Sequence, residues 1–178
     1  MENKRRYKRQ GRYLFVDGYN IINDWEALKP LVEDRLEEAR ERLIEILEEF
    51  AATEHIYVIL VFDAYRVKGN PGSFLQRKGM DIVFTKELET ADHYIEAQIA
   101  SMGRVREVVV ATSDYVEQQI ILARGGKRIS ARELEIVVSA AKNRTRQQAK
   151  HMVTRERMGG ALDERNRRKL ETLRRKLK

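Results

Sequence analysis

The sequence predicts an α/β fold in which a parallel sheet of about five strands lies between layers of helices. Apolar segments of strand length alternate with longer segments of helical periodicity, and this alternation implies right-handed crossovers between parallel strands. The segment 56–62 is apolar throughout, as expected for a strand whose sheet is covered on both faces. A chain of 178 residues is long enough to give such a domain a proper hydrophobic core.

The first strand and the first long helix are predicted within residues 13–53. Tyr13 to Asp17 is a buried strand that ends on a carboxylate, and Gly18 is expected to turn the backbone after it. From Val32 to Thr53, apolar residues recur every three or four positions with Glu and Arg between them, which predicts an amphipathic helix. Pro30 is expected to mark the start of this helix.

The second and third strands are predicted on either side of a polar loop. His55 to Phe62 is almost entirely apolar and, like the first strand, leads into a carboxylate, Asp63. Residues 64–79 contain enough Gly and Pro to predict a loop without regular structure. Met80 to Phe84 then has the length and composition of a strand.

The second half of the chain continues the alternation of helices and strands. Thr90 is a candidate N-cap and Gly103 a candidate stop for the helix between them, and Ser130 is a candidate N-cap for a later helix. The predicted elements are a helix at 90–102, a strand at Glu107–Ala111, a helix at Tyr115–Arg124, a short strand at Arg128–Ile129, a helix from Ala131 to about Arg146, and a basic helical segment to Lys178.

Charge is distributed unevenly along the chain. Residues 1–13 and 142–178 together carry 20 Lys and Arg against 5 Asp and Glu, whereas residues 14–141 carry 15 against 23. Either basic end alone could be a solvated tail or helix face, but two such ends around an acidic body favour a polyanionic partner, because clustered cations release counterions from phosphates. We expect a basic tail at 1–12, a globular domain at 13–145 and a basic helical extension at 146–178.

Several other classes of protein are disfavoured by composition. The chain has no cysteine, which excludes disulfides and thiolate metal sites and agrees with a reducing cytoplasm. Its longest apolar run has the length of a strand and is too short to span a bilayer, and the basic N-terminus lacks the apolar stretch of a signal peptide. We therefore expect a cytoplasmic protein without membrane contact.

Carboxylates follow three of the predicted strands. Asp17, Asp63 and Asp114 each come at or just after a strand, and the carboxyl ends of parallel strands meet at one edge of a sheet. Asp92, near the start of the following helix, is expected to join them, and Glu96, one turn later, is interpreted as a solvated or supporting residue rather than a catalytic one. Clustered carboxylates repel one another, and hard cations such as Mg²⁺ or Mn²⁺ relieve this repulsion. The pattern therefore predicts a divalent cation site.

An acidic cation site beside basic segments favours phosphodiester chemistry, in which the metal polarises the phosphate and activates a water molecule. Two other classes on similar sheets fit less well. A haloacid-dehalogenase-type phosphatase needs a second Asp where this chain has Tyr19, and a receiver domain needs an Asp after the third strand, where this chain has Thr85 and Lys86. The three histidines have no zinc-type spacing.

Five segments in order resemble the YacP-like branch of the NYN domains, within the PIN-like nuclease group: FVDGYNII, VFDAYRVKGNPG, VFTKELETADHYIE, VVVATSDYVEQQ and GGKRISARELE. Each segment alone is a weak signal, but the ordered set, from Tyr13 to Val138, is highly specific. The resemblance implies a PIN-like fold and a Mg²⁺- or Mn²⁺-dependent endoribonuclease of bacterial type, linked to RNA decay or processing and to the ribosome. It carries over, as positions of the acidic site, Asp17, Asn20, Asp63, Asp92 and Asp114.

The resemblance and the chemistry together assign roles to individual residues. Asp17, Asp92 and Asp114 are expected to hold the metal and, with Asn20, to form the catalytic site, while Asp63 is either a further metal residue or a strand-end turn residue. Contacts to the RNA backbone are assigned to Arg66, Lys68, Arg77 and Lys78. Base stacking is assigned to Tyr65 and Phe74, with a small hydrophobic anchor as the alternative role of Phe74. The alternative function is an inactive RNA- or ribosome-binding module on the same fold, and cleavage of messenger RNA is the favoured activity.

Overall fold

The structure, a computed structural model, describes residues 11–64, 69, 71–102, 107–112 and 127–176, the last helix beyond residue 151 mainly by its backbone. The strands are β1 (Arg12–Asp17), β2 (Tyr57–Phe62), β3 (Ser73–Arg77), β4 (Met80–Phe84), β5 (Glu107–Ala111) and β6 (Lys127–Ile129). The helices are α1 (Gly18–Asp24), α2 (Leu36–Glu54), α3 (Ala91–Met102) and α4 (Ala131–Lys176), with a 3₁₀ turn at Lys29–Leu31.

The strands form one six-stranded sheet in the order β3-β4-β2-β1-β5-β6. All neighbours pair in parallel except β3 and β4, which are antiparallel. The chain proceeds from β1 to β2 and β4 on one side and then returns to β5 on the other side of β1. The direction of winding therefore changes at β1, and in such sheets the loops at the carboxyl ends diverge there and leave a crevice for a ligand.

Helices cover both faces of the sheet, as the sequence predicts. Alternate residues of β1 point to opposite faces: Leu14 and Val16 pack with α1, α2 and the first turns of α4, whereas Tyr13 and Phe15 pack with α3. Trp25 joins two helices of the first layer, because its indole Nε1 donates a hydrogen bond to the backbone oxygen of Ala131 at 2.9 Å. The α/β class and the mostly parallel sheet are thus confirmed.

The segment after β2 differs from its prediction. Residues 64–79 were expected to lack regular structure, but they contain β3, which pairs with β4 through the tight turn at Lys78–Gly79. The prediction failed because Ser73, Phe74, Leu75 and Gln76 are all exposed, so β3 lacks the alternation of apolar and polar residues that identifies a half-buried strand. The sheet consequently has six strands rather than five.

The predicted helices are largely present, with different ends. The long helix begins at Leu36 rather than at Val32, because the 3₁₀ turn containing Pro30 precedes it, and α1 begins where only a turn was expected. Ser130 caps α4 as predicted, since its Oγ accepts a hydrogen bond from the backbone N–H of Glu133 at 3.2 Å. The helix predicted at 115–124 lies outside the described residues.

The chain divides into two compact units, Met1–Ala141 and Lys142–Lys178, the second of which consists of helix α4 beyond Ala141. The domain boundaries expected from the sequence, at residues 12 and 145, stay predictions. Within the described part of the chain, no helix is both long enough and apolar enough to cross a membrane.

The end of helix α2 offers a test of the fold. His55 has left-handed backbone angles, φ 53° and ψ 42°, and its N–H donates to the oxygen of Ala51. A β-carbon is unfavourable in this conformation and glycine is the usual residue there, so we expect His55→Gly to raise the free energy of unfolding by about 1 kcal/mol. Urea denaturation would measure this. Thr53→Gly, in the last turn of the same helix, should instead lower it by roughly 0.4 kcal/mol; a loss of stability in both variants would contradict this interpretation.

Candidate functional site

The carboxylate of Asp17 lies at the carboxyl end of the strand where the sheet changes direction. Helix α1 begins at the next residue, and Asp17 caps it: the Oδ1 atom accepts a hydrogen bond from the backbone N–H of Asn20 at 3.2 Å. The backbone N–H of Tyr19 also donates to this carboxylate. The side chain is therefore fixed by the first turn of the helix that it caps.

The residue after Asp17 must be a glycine because an aromatic ring lies against it. A β-carbon on Gly18 would come within 2.4 Å of Cε1 of Phe62, the last residue of β2. The Phe62 ring also contacts Tyr19 and stacks on Phe84, with ring centroids 5.2 Å apart in both pairs. The sequence predicts Gly18 only as a turn residue, and no local signal indicates that it is required by Phe62, 44 positions away in the chain.

The three described carboxylates of the predicted cluster interact. Burial raises the pKa of Asp17 to about 6, and repulsion from Asp92 and Asp63 adds to this, while the hydrogen bond from the Asn20 backbone opposes it. Asp63 directly follows β2, the neighbour of β1, and Asp92 lies in the first turn of α3. The alternation of strands and helices thus brings together carboxylates from three separate segments at one edge of the sheet.

Other predicted residues have different positions. Asp114, Arg66, Lys68 and Tyr65 lie outside the described residues. Glu96 lies one turn after Asp92 on α3, and Phe74, 41% exposed, is near the start of β3 at the carboxylate edge.

Arg77 and Lys78 do not join the carboxylates. Because β3 is antiparallel to β4, Arg77 pairs with Met80 at the beginning of β4, and Lys78 follows in the turn, so both lie at the opposite edge of the sheet. The Arg77 guanidinium is also paired with carboxylates of α2, at 3.2 Å from Glu41 and 3.6 Å from Glu48. The contacts to the RNA backbone that the sequence assigns to Arg77 and Lys78 stay predictions, and these residues would make them at the edge opposite the carboxylates.

The donor atoms at this edge suit a hard cation. Carboxylate oxygens from Asp17, Asp63 and Asp92, with the amide of Asn20, are the ligand types that Mg²⁺ and Mn²⁺ prefer, and a divalent ion would relieve the repulsion that raises the pKa of Asp17. Within the described ranges, no group of three His, Cys, Asp or Glu side chains is arranged to hold a metal ion by itself. The case for a divalent cation therefore rests on the type of donor atoms present and on the repulsion that Asp63 and Asp92 exert on Asp17.

Comparison with known proteins gives consistent matches. The family described as YacP-like NYN domain matches residues 14–175, and this range includes nearly all of α4. The YacP protein of Bacillus subtilis (strain 168) is 39% identical over 150 residues, which are 84% of this chain and 87% of that protein. The crystal structure of Rae1 (YacP) from Bacillus subtilis is 37% identical, with a TM-score of 0.69 over 92% of this chain and 94% of that one. A mutant of the same protein gives a TM-score of 0.68, at 37% identity, over 79% and 82% of the two chains.

Proposed function

Because the chain belongs to the YacP-like NYN domain family, we propose that it is an endoribonuclease that hydrolyses phosphodiester bonds of single-stranded RNA with Mg²⁺ or Mn²⁺. NYN domains are PIN-like and are generally nucleases, so RNA is the substrate class that the family implies. The observation that carries the proposal is the position of the buried Asp17 carboxylate where the sheet changes direction, with Asp63 and Asp92 near enough to raise its pKa. A divalent cation bound there would attract the carboxylates, and it would also attract a phosphate of the substrate.

The proposed roles follow from the chemistry of each side chain and from the family resemblance. Asp17, Asp63 and Asp92, with Asp114, would hold the ion, which when bound supplies Lewis-acid polarisation of the phosphate and an activated water. The Asn20 side chain carries both a donor and an acceptor at this edge and orients a water molecule or a phosphate oxygen. Its backbone N–H meanwhile holds the Asp17 carboxylate in place.

The substrate we propose is messenger RNA in the bacterial cytoplasm, with the ribosome as a further partner. The unit Lys142–Lys178 carries 14 Lys and Arg against 4 Asp and Glu, and the side chains of Arg168 and Lys169 are exposed on α4. The acidic segment 14–141 would repel a polyanion at long range, so a basic segment has to supply the attraction. Ribosomes present both RNA phosphates and messenger RNA.

The proposal is tested with a circular single-stranded RNA, which has no ends for an exonuclease. We expect the protein to linearise it with Mn²⁺ or Mg²⁺ and to leave it intact with EDTA. The same RNA on translating ribosomes shows whether the ribosome increases the rate. Binding without cleavage on both substrates, at saturating metal, would refute the enzymatic proposal and identify an inactive RNA- or ribosome-binding module.

Removing the chain from Leu162 onward should weaken RNA or ribosome binding and reduce its dependence on salt. The removed residues carry 8 Lys and Arg against 3 Asp and Glu. For single strands, the slope of log affinity against log salt becomes shallower by roughly 0.7 for each phosphate that the protein ceases to neutralise. Measuring this slope for the full-length and the truncated protein checks the prediction.

Matched substitutions separate charge from chain length in the same segment. Replacing Arg167, Arg168 and Lys169 together by Gln should reduce affinity and slope, whereas replacing Asp163 and Glu164 by Asn and Gln should not reduce either. Cation binding at the carboxylate edge should survive in all variants. An unchanged affinity and slope in the truncated protein would remove this role from α4.

A further inference from the structure

Thr85, the residue that follows β4, contacts the backbone on both sides of Asp63. Its backbone N–H donates a hydrogen bond to the oxygen of Phe62 at 3.0 Å, and its Oγ1 accepts one from the N–H of Ala64 at 2.9 Å. Thr85 is only 1% exposed, and the bond to Ala64 is partly buried. Residues 62 and 64 are thus both held by one side chain and its backbone, and Asp63 lies between them.

This arrangement extends the sheet beyond the last regular pair of strands. β2 and β4 pair in parallel up to Phe62 and Phe84, and the N–H of Thr85 adds one further ladder bond. The hydroxyl of Thr85 then takes the place of a backbone acceptor for the N–H of Ala64, where β2 leads into its loop. A backbone that is fixed on both sides of a residue leaves that residue little freedom to turn, so Thr85 fixes the direction in which the Cα–Cβ bond of Asp63 leaves the backbone.

The direction of Asp63 matters because of where it lies relative to Asp17. Asp17 pairs with Val61 in the parallel register of β1 and β2, so Asp63 follows two positions later on the neighbouring strand, at the same edge of the sheet. Repulsion from Asp63 also contributes to the raised pKa of Asp17. Residues that hold a ligand in place typically change metal affinity by 10- to 100-fold when they are replaced.

We propose that Thr85 is a positioning residue for the cation site, acting by holding Asp63 towards Asp17. The inference rests on the proposed function, because it requires that Asp63 bind the ion. Of the two roles that the sequence leaves open for Asp63, the proposal takes that of a cation ligand, whose backbone is held by the hydroxyl of Thr85.

The test compares two substitutions that differ in the hydroxyl. Thr85→Val keeps the shape of the side chain and removes Oγ1, whereas Thr85→Ser keeps Oγ1 and removes only the methyl group. We expect Thr85→Val to weaken Mn²⁺ binding, measured by calorimetry without RNA, by roughly 10-fold. Thr85→Ser should bind Mn²⁺ as the wild type does. If Thr85→Val does not fold, Thr85→Ala, which also lacks the hydroxyl, is compared with Thr85→Ser instead.

Tyr57→Phe is the matched control, because Tyr57 begins β2, the strand whose other end leads into Asp63. The substitution removes a hydroxyl that donates a hydrogen bond to Oδ1 of Asp81 at 2.8 Å, so the sheet loses one hydrogen bond away from Asp63. We expect Tyr57→Phe to lower thermal stability without changing Mn²⁺ affinity. An equal loss of affinity in this variant would overturn the proposal, because affinity would then simply follow stability.

A double substitution shows whether Thr85 acts through Asp63. In an Asp63→Asn background, Thr85→Val should cause no further loss of Mn²⁺ affinity; a full further loss would overturn the proposal. Unchanged Mn²⁺ binding by folded Thr85→Val, with normal binding by the wild type, would overturn the inference alone. A wild type that binds no Mn²⁺ and cleaves no RNA would overturn the proposed function and this inference together.

Discussion

Replacing Asp92 with asparagine is expected to reduce RNA cleavage by at least about 100-fold while the protein stays folded. Asp92 lies in the first turn of α3, and its charge is the larger of the two carboxylate contributions that raise the pKa of Asp17. Asparagine has the same size but no charge, so a ligand of the cation is lost. Loss of a direct ligand should cost more than the 10- to 100-fold that residues behind the ligands typically cost.

The fold should tolerate this change. Removing one charge from a repulsive cluster stabilises the metal-free protein, which offsets the small loss of a favourable charge at a helix N-terminus. Glu96→Gln is the matched control, since it removes one negative charge one turn later on the same helix and should leave cleavage largely unchanged. Single-turnover rates at saturating Mn²⁺ measure both variants, and a wild-type rate in folded Asp92→Asn would exclude Asp92 from the site.

Replacing Asp17 with asparagine should make the metal-free protein more stable at neutral pH. The pKa of Asp17 is raised from its ordinary 3.8 to about 6, so the folded state holds this proton more tightly than the unfolded state does. Stability is therefore lost as pH rises from about 4 to about 6, and above that the full penalty, on the order of 3 kcal/mol, applies. Asparagine does not ionise and is an equally good N-cap, so the variant escapes the penalty.

Urea denaturation in EDTA, at several pH values between 4 and 7.5, measures this effect. The advantage of Asp17→Asn over the wild type should be close to zero at pH 4, grow through pH 5 and 6, and then level off. Asp24→Asn, an exposed position at the other end of α1, should change stability little at any of these pH values. A difference between wild type and Asp17→Asn that does not vary with pH would contradict the raised pKa. Saturating Mn²⁺ should narrow the difference, because the ion stabilises the wild type more.

Most of the strands that the sequence predicts correctly are buried and largely apolar, and β2, with five of its six residues buried, is the clearest of them. β6 is an exception: it is not buried, and it is predicted from its position between a Gly pair and a helix cap. β3 has no such signal, because it is an exposed edge strand whose stability comes from pairing with β4. Helix α1 was missed for a similar reason: at seven residues it is too short to show helical periodicity.

Only those residues of the candidate site that lie at strand ends could be located from the sequence. Asp17 and Asp63 follow parallel strands, so the general rule for such sheets places them at one edge. The position of Arg77 and Lys78 was not predictable, because a hairpin that the sequence does not signal brings the chain back to the opposite edge. The contact of Phe62 with Gly18 and the hydrogen bond between Thr85 and Ala64 depend on which strands are neighbours, and composition and periodicity carry no information about that order.

The central claim is that the carboxylates at this edge hold a divalent cation, and anomalous diffraction from crystals grown with Mn²⁺ tests it most directly. The account predicts an anomalous peak at ligand distance from the carboxylate oxygens of Asp17 and Asp92, and its loss in Asp92→Asn. A Mn²⁺ ion bound elsewhere in the protein, or no ion at this edge under conditions in which the protein cleaves RNA, would contradict the account.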